Sequence, residues 1–166
     1  MRNSSWILMG FLLLVLQTTS LGLFRGSLYF DLPLIFIYCL ALLRGPWQGL
    51  LCGAVLGLLM DMASPLVFGF YTLTRGLCGL GVGSVKEMIF KNNHTYHVLL
   101  MGGISLLSRL LYLIPTAYRA GSAAAIIPAY ALDTLCYCLG NMILVLPVLK
   151  CAIRVERWIR EEDPQY

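Results

Sequence analysis

The chain has 166 residues, of which 59% are hydrophobic and only 12% charged, with a mean hydropathy of +0.80; soluble domains carry roughly 25% charged residues. A single soluble core of this size could not bury so much apolar surface, and the same composition excludes a disordered chain. Twelve Lys and Arg against eight Asp and Glu leave a net charge of +4 spread along the chain, which argues against nucleic acid as a partner.

A membrane-spanning helix needs about 20 mainly apolar residues, whereas a barrel strand alternates in polarity over about ten. The apolar runs here are continuous, so the sequence predicts an all-α polytopic bundle of about six transmembrane helices: Trp6–Phe24, Leu28–Leu43, Trp47–Ala63, Leu66–Val85, Tyr96–Ile114 and Ile126–Leu149. The start of the first run also has the outline of a cleaved signal peptide, Arg2 followed by Trp6–Leu16 and then Gln17–Ser20, which would leave five spans without moving a later loop. Arg44-Gly45-Pro46 reads as a tight helical hairpin, and little more than Ser64-Pro65 separates the third and fourth runs. The stretch Pro115–Ala125, rich in Ala and Gly, is a candidate for a partly inserted, re-entrant segment. Residues 1–149 then form one transmembrane domain and 150–166 a cytoplasmic tail that is basic and then acidic.

The positive-inside rule sets the orientation. With the N-terminus inside, Arg2, Arg44, Lys86, Lys91, Lys150, Arg154, Arg157 and Arg160 fall on the cytoplasmic side and only Arg25 and Arg119 outside. The sequence therefore predicts both termini in the cytoplasm, and the net charge is explained by topology. In the tail, Lys150, Arg154 and Arg157 recur at helical spacing with Ala152, Val155 and Ile159 on the other side, before Glu161, Glu162 and Asp163. An ordinary positive-inside anchor and an interfacial extension of the last helix both account for that pattern.

Six cysteines at 39, 52, 78, 136, 138 and 151 form no C-x-x-C pair, and five lie inside the expected spans. They read as small polarizable hydrophobes rather than metal ligands or disulfides. His94 and His97 lack an acidic or thiol neighbour and read as polar loop residues at headgroup level; no cofactor or metal is expected. Asn3-Ser4-Ser5 and Asn93-His94-Thr95 fit the glycosylation pattern but fall on the inner side.

Charges inside a bilayer are costly and face protein or a functional cavity. The candidates are Asp61, Arg75, Arg109 and Asp133, with Asp31 at an outer helix end. Arg109 and Asp133 lie at similar depth, about 7 to 10 Å below the outer surface at 1.5 Å per residue, and could pair. Arg75, near the middle of its span, needs a carboxylate, carbonyls or water. On the third run Gly45, Gly49, Gly53 and Gly57 recur every four residues and Asp61 takes the next step, a bare ridge that another helix can approach closely.

From Gly49 to Phe70 the string G-x-x-x-G-x-x-x-G-L-L-M-D-M-A-S-P-L-V-F-G-F resembles the signature region of the rod shape-determining protein MreD family, with a glycine-bearing helix ending in Asp, a Ser/Pro turn, and Gly69 eight residues after the Asp. Asp31-Leu32 and Arg44-Gly45-Pro46 also resemble the family; Pro65 directly after Ser64, and Phe70-Tyr71-Thr72 after Gly69, depart from its usual pattern. The resemblance implies a non-enzymatic subunit of the bacterial elongation machinery in the inner membrane. Its implied partners are an MreC-like protein and, through it, the MreB filament and the peptidoglycan synthase pair. It also implies a fold like the substrate-binding subunits of energy-coupling-factor transporters. The partner surface is then expected around Asp61, Pro65 and Gly69, with Gly49, Gly53 and Gly57 as the packing ridge. Two other function classes compete: a small-molecule, vitamin-like binding subunit of a transporter, motivated by the interior charges, and an intramembrane aspartyl protease, for which Asp61 and Asp133 would have to share a proton.

Overall fold

A computed structural model describes residues 30–63, 68–86, 94–120 and 123–161. Within them lie α1 (Leu32–Arg44), α2 (Pro46–Ala63), α3 (Phe70–Ser84), α4 (His94–Ala120) and α5 (Ala123–Glu161), with no strand among the described residues. The first apolar run, Trp6–Phe24, lies outside them, as do Ser64, Pro65 and residues 87–93.

Each helix boundary has a local cause. α1 starts four residues later than the apolar run suggests because Asp31 caps it: its Oδ1 accepts from the Leu34 N–H at 3.0 Å, and Pro33 suits the first turn. α1 ends at Gly45, whose φ of 103° lies in the left-handed region, and Pro46 then begins α2. Gly45 therefore makes the turn and is not a step of the helical ridge. α3 starts at Phe70 rather than Leu66, behind Gly69 with a φ of 91°.

Most of the stretch Pro115–Ala125 is helical. α4 runs through Pro115 to Ala120 and α5 begins at Ala123. A proline inside a helix removes one N–H donor, here the one that would serve the Leu111 carbonyl, and the Thr116 hydroxyl adds a bond to the adjacent Tyr112 carbonyl at 2.7 Å. α5 absorbs Pro128 and Pro147 in the same continuous helix.

The helices form two antiparallel hairpins, α2–α3 and α4–α5, around α1. Every residue of α1 from Pro33 to Leu42 is buried, which explains why that segment is apolar all round. Large apolar side chains on the outer faces stay exposed, among them Leu99, Leu106 and Leu110 on α4 and Leu132, Leu139 and Ile143 on α5. A surface of that kind suits lipid. Among the described residues three helical stretches are long and apolar enough to cross a bilayer, Pro46–Ala63, His94–Tyr118 and Ile127–Trp158, and α1 is a shorter apolar helix. The architecture is an all-α membrane helix bundle.

The closest packing is between α2 and α3. A Cβ at Gly49 would sit 2.6 Å from both the Ala41 Cβ and the Gly79 carbonyl oxygen, and one at Gly57 2.6 Å from the Thr72 Cα. At Gly53 it would collide with the Arg75 carbonyl, and at Gly79 with the Gly49 carbonyl. Small residues let two backbones approach where no hydrophobic force drives helices together. Gly103 on α4 has open space where a Cβ would stand. Gly53→Ala is therefore expected to lower the thermal midpoint of the detergent-solubilised protein, by an overpacking cost of about 1–3 kcal/mol. Gly103→Ala should leave the midpoint unchanged or raise it, since Ala is favoured over Gly in a helix by about 1 kcal/mol. Equal midpoints for the two variants would refute the tight-ridge account.

Candidate functional site

The interior polar groups gather where α1 begins. Arg75, 5% exposed, reaches from α3 to the Asp31 carboxylate: Nη1 donates to Oδ1 at 3.1 Å and Nη2 to Oδ2 at 2.5 Å. Two parallel bonds are the geometry a planar guanidinium offers a carboxylate. Asp31 Oδ2 also accepts from the Tyr137 hydroxyl on α5 at 2.8 Å. The Asp31 N–H donates to Asn141 Oδ1 at 2.8 Å, and Asn141 Nδ2 donates to Ser105 Oγ on α4 at 2.9 Å. The Asp31 carboxylate thus ties α1 to α3 and α5, and the Asp31 backbone N–H reaches α4 through the Asn141 amide. Arg75 also lies 5.7 Å from the centre of the Tyr71 ring.

Tyr137 links this cluster to a second one. Its ring lies 4.7 Å below the Arg109 guanidinium, which hydrogen-bonds Asp133 and also stacks 5.1 Å over Tyr130. The Tyr130 hydroxyl donates to the Arg109 carbonyl at 2.6 Å. Side-chain exposure rises to 20% at Arg109 and 49% at Asp133, so this pair sits at the rim and not in the core.

Asp61 has a different task. From the end of α2 its Oδ1 accepts from the Tyr71 N–H at 2.9 Å, and its Oδ2 accepts from the Thr72 N–H at 2.9 Å and the Thr72 hydroxyl at 2.6 Å. The first N–H groups of any helix lack internal partners, and Gly69 has no side chain with which to supply one. A carboxylate from the neighbouring helix fills the role, with the favourable sign for the helix N-terminus. Asp61 is 4% exposed.

At the opposite end, Arg44 Nη2 donates to Glu156 on α5 at 2.9 Å, both side chains 9% exposed. Tyr38 Oη and His97 Nδ1 share a hydrogen bond of 2.9 Å, so His97 belongs to the first turn of α4 and contacts α1, while His94 is exposed. Among the described residues no group of His, Cys, Asp and Glu could hold a metal ion, and all six cysteines are free.

The structure brings Asp31 to Arg75 and Asp133 to Arg109, and keeps Asp61 and Asp133 in separate clusters on different partners. Gly49, Gly53 and Gly57 face α3, Gly69 precedes it, and Pro65 lies outside the described residues. Four participants escaped the reading of the sequence: Tyr137, Asn141, Ser105 and Glu156. The signal for Asn141 and Ser105 was present, because polar side chains inside an apolar span need partners.

A bundle whose interior charges are held by internal partners, with apolar faces outward, defines an α-helical membrane protein. The family model for rod shape-determining protein MreD matches residues 1–152, and the chain belongs to that family. No curated protein and no solved structure matches, so the expected likeness to energy-coupling-factor subunits remains an implication of the resemblance alone.

Removing one partner of a buried pair leaves an uncompensated charge, which is destabilising by about 3–5 kcal/mol, whereas replacing both with apolar or neutral groups is much milder. Arg75→Met is accordingly expected to abolish accumulation or lower the thermal midpoint sharply. Arg75→Met with Asp31→Asn, which keeps the cap on α1, should recover much of the loss. Arg109→Met, at the half-exposed pair, should cost less than Arg75→Met, since exposed pairs contribute only about 0–1 kcal/mol. Midpoints that rank the other way would contradict the burial argument.

Proposed function

We propose that the protein is a non-enzymatic scaffold of the cell-elongation machinery. On this reading it is a multi-pass protein of the bacterial inner membrane, with both termini cytoplasmic. It binds an MreC-like partner and, through it, serves the MreB filament and the peptidoglycan synthase pair. Membership of a rod shape-determining family supports the process. The observation that carries the scaffold reading is that the two buried aspartates are engaged internally, Asp31 by Arg75 and Asp61 by the N-terminus of α3, while Asp133 at the rim is paired with Arg109. Catalytic carboxylates need a free oxygen aimed at substrate or at one another.

The partner surface proposed is the tip of the α2–α3 hairpin around Asp61, Pro65 and Gly69. There Asp61 shapes the surface and does not touch the partner, because both its oxygens hold α3. Phe68, 69% exposed beside Gly69, is the apolar anchor the tip offers.

The vitamin-binding alternative draws little from the structure. The groove between α4 and α5 has a volume of about 590 Å³ and is lined mainly by residues such as Leu99, Leu106, Leu110, Ala131 and Leu135. Small-molecule sites add convergent polar groups that fix orientation, whereas Arg75 is paired with Asp31, Arg109 with Asp133, and Asp61 is held by the start of α3.

Depletion from a rod-shaped host is expected to produce round cells, and the MreC-like protein should co-purify with the chain in mild detergent. Phe68→Asp should reduce that co-purification at unchanged membrane abundance. Cells that stay rod-shaped, or full co-purification with Phe68→Asp, would reject the scaffold or the tip respectively. An alkaline phosphatase fused to the C-terminus should be inactive and a green fluorescent protein there fluorescent; the reverse would overturn the orientation.

A further inference from the structure

α5 has 39 residues, about 58 Å at 1.5 Å per residue, whereas the hydrocarbon core of a bilayer is about 30 Å thick. The 23 residues from Ile127 to Leu149 cover roughly 34 Å, so Lys150 stands where the helix leaves the hydrocarbon.

One face of α5 changes character at that point. Leu132, Leu139 and Ile143 are 69%, 50% and 72% exposed, and Pro147 continues the exposed stripe. Three cations follow on the same side, Lys150, Arg154 and Arg157, all exposed. Their spacing of four and three residues puts them within roughly a sixth of the helix circumference. The opposite side of the same stretch is buried: Leu149 and Ala152 pack in the core, and Glu156 is held by Arg44 on α1. Glu156 is therefore turned away from the cations. Lys150, Arg154 and Arg157 have no ion pair among the described residues. Trp158, 59% exposed, flanks the basic face, and indole rings favour the headgroup level.

We propose that Lys150, Arg154 and Arg157 form a binding site for the headgroup of an anionic phospholipid, whose acyl chains lie against the exposed apolar stripe of α5 above them. Charge complementarity selects this occupant: the stripe presents hydrocarbon-compatible side chains up to Lys150 and then the three exposed cations Lys150, Arg154 and Arg157, which is the order of apolar and anionic parts along such a lipid. A zwitterionic lipid matches the stripe but leaves the three cations without a net counter-charge.

The test is native mass spectrometry of the full-length protein in detergent, titrated with phosphatidylglycerol or phosphatidylcholine of identical acyl chains. The wild type is expected to retain phosphatidylglycerol in preference. Lys150→Gln and Arg154→Gln should each reduce that preference about five-fold, the equivalent of about 1 kcal/mol per basic residue near an anionic surface. Lys150→Gln/Arg154→Gln/Arg157→Gln should abolish it. If the triple variant fails to accumulate in membranes, the single variants decide. Equal retention of both lipids by the wild type, an undiminished preference in the variants, or displacement of phosphatidylglycerol by a poly-glutamate peptide at equal charge would overturn the site.

Discussion

The ion pair between Arg75 and Asp31 fixes the position of α1, and the rest of the bundle is arranged around that helix. With 13 residues, α1 is about 20 Å long, short of the roughly 30 Å hydrocarbon core. Its N-terminal end therefore lies among the other helices, at the level of Ser105 on α4 and Asn141 on α5. The free N–H groups of a helix start cannot be left to water there. Asp31 supplies the cap, Asn141 accepts from the Asp31 backbone, and Arg75 neutralises the carboxylate. The same charge that completes the helix end is thus the charge that a guanidinium in the membrane needs.

The glycine contact between α2 and α3 sets where that guanidinium stands. Gly53 has no room for a Cβ because the Arg75 backbone presses against it. Close approach at this turn holds the base of the Arg75 side chain, and Asp61 holds the start of α3 one and a half turns earlier through three hydrogen bonds. Ridge, cap and ion pair form one mechanical unit. Widening the α2–α3 separation would move Arg75 relative to Asp31, so a packing residue and a charged residue are coupled although they never touch through their side chains.

The helices were legible in the sequence to the extent that hydrophobicity decides them: the run from Trp47 matches its helix to within one residue, and the runs from Leu66, Tyr96 and Ile126 each correspond to a helix with an end displaced by several residues. The displacements came from chemistry that hydropathy does not register, such as the cap at Asp31 and the left-handed Gly69. Pro115 misled because proline and small residues usually mark a loop, yet α4 runs on through it to Ala120. The glycine ridge was visible as a spacing; what it packs against was not. The partner of Arg75 lay hidden because Asp31 is 44 residues away and reads locally as a helix end. Glu156 was hidden by its basic neighbours, since a tail tallied for charge does not reveal which side chain turns inward to Arg44.

Sequence separation also orders the assembly. The α2–α3 contacts and the Asp61 cap span about ten to thirty residues, and the Arg109–Asp133 bond spans 24, so each hairpin can close by itself as it enters the membrane. α1 cannot be completed in that way. Its cap carboxylate waits 44 residues for Arg75 and 106 for the Tyr137 hydroxyl, and the Asp31 backbone N–H waits 110 for the Asn141 side-chain oxygen. Until α5 is in place, a short helix ends in a carboxylate with an incomplete set of donors, in a medium where unsatisfied polar groups are costly. The central helix is therefore the last to acquire its full set of contacts, and its burial on every side follows from the two hairpins closing around it.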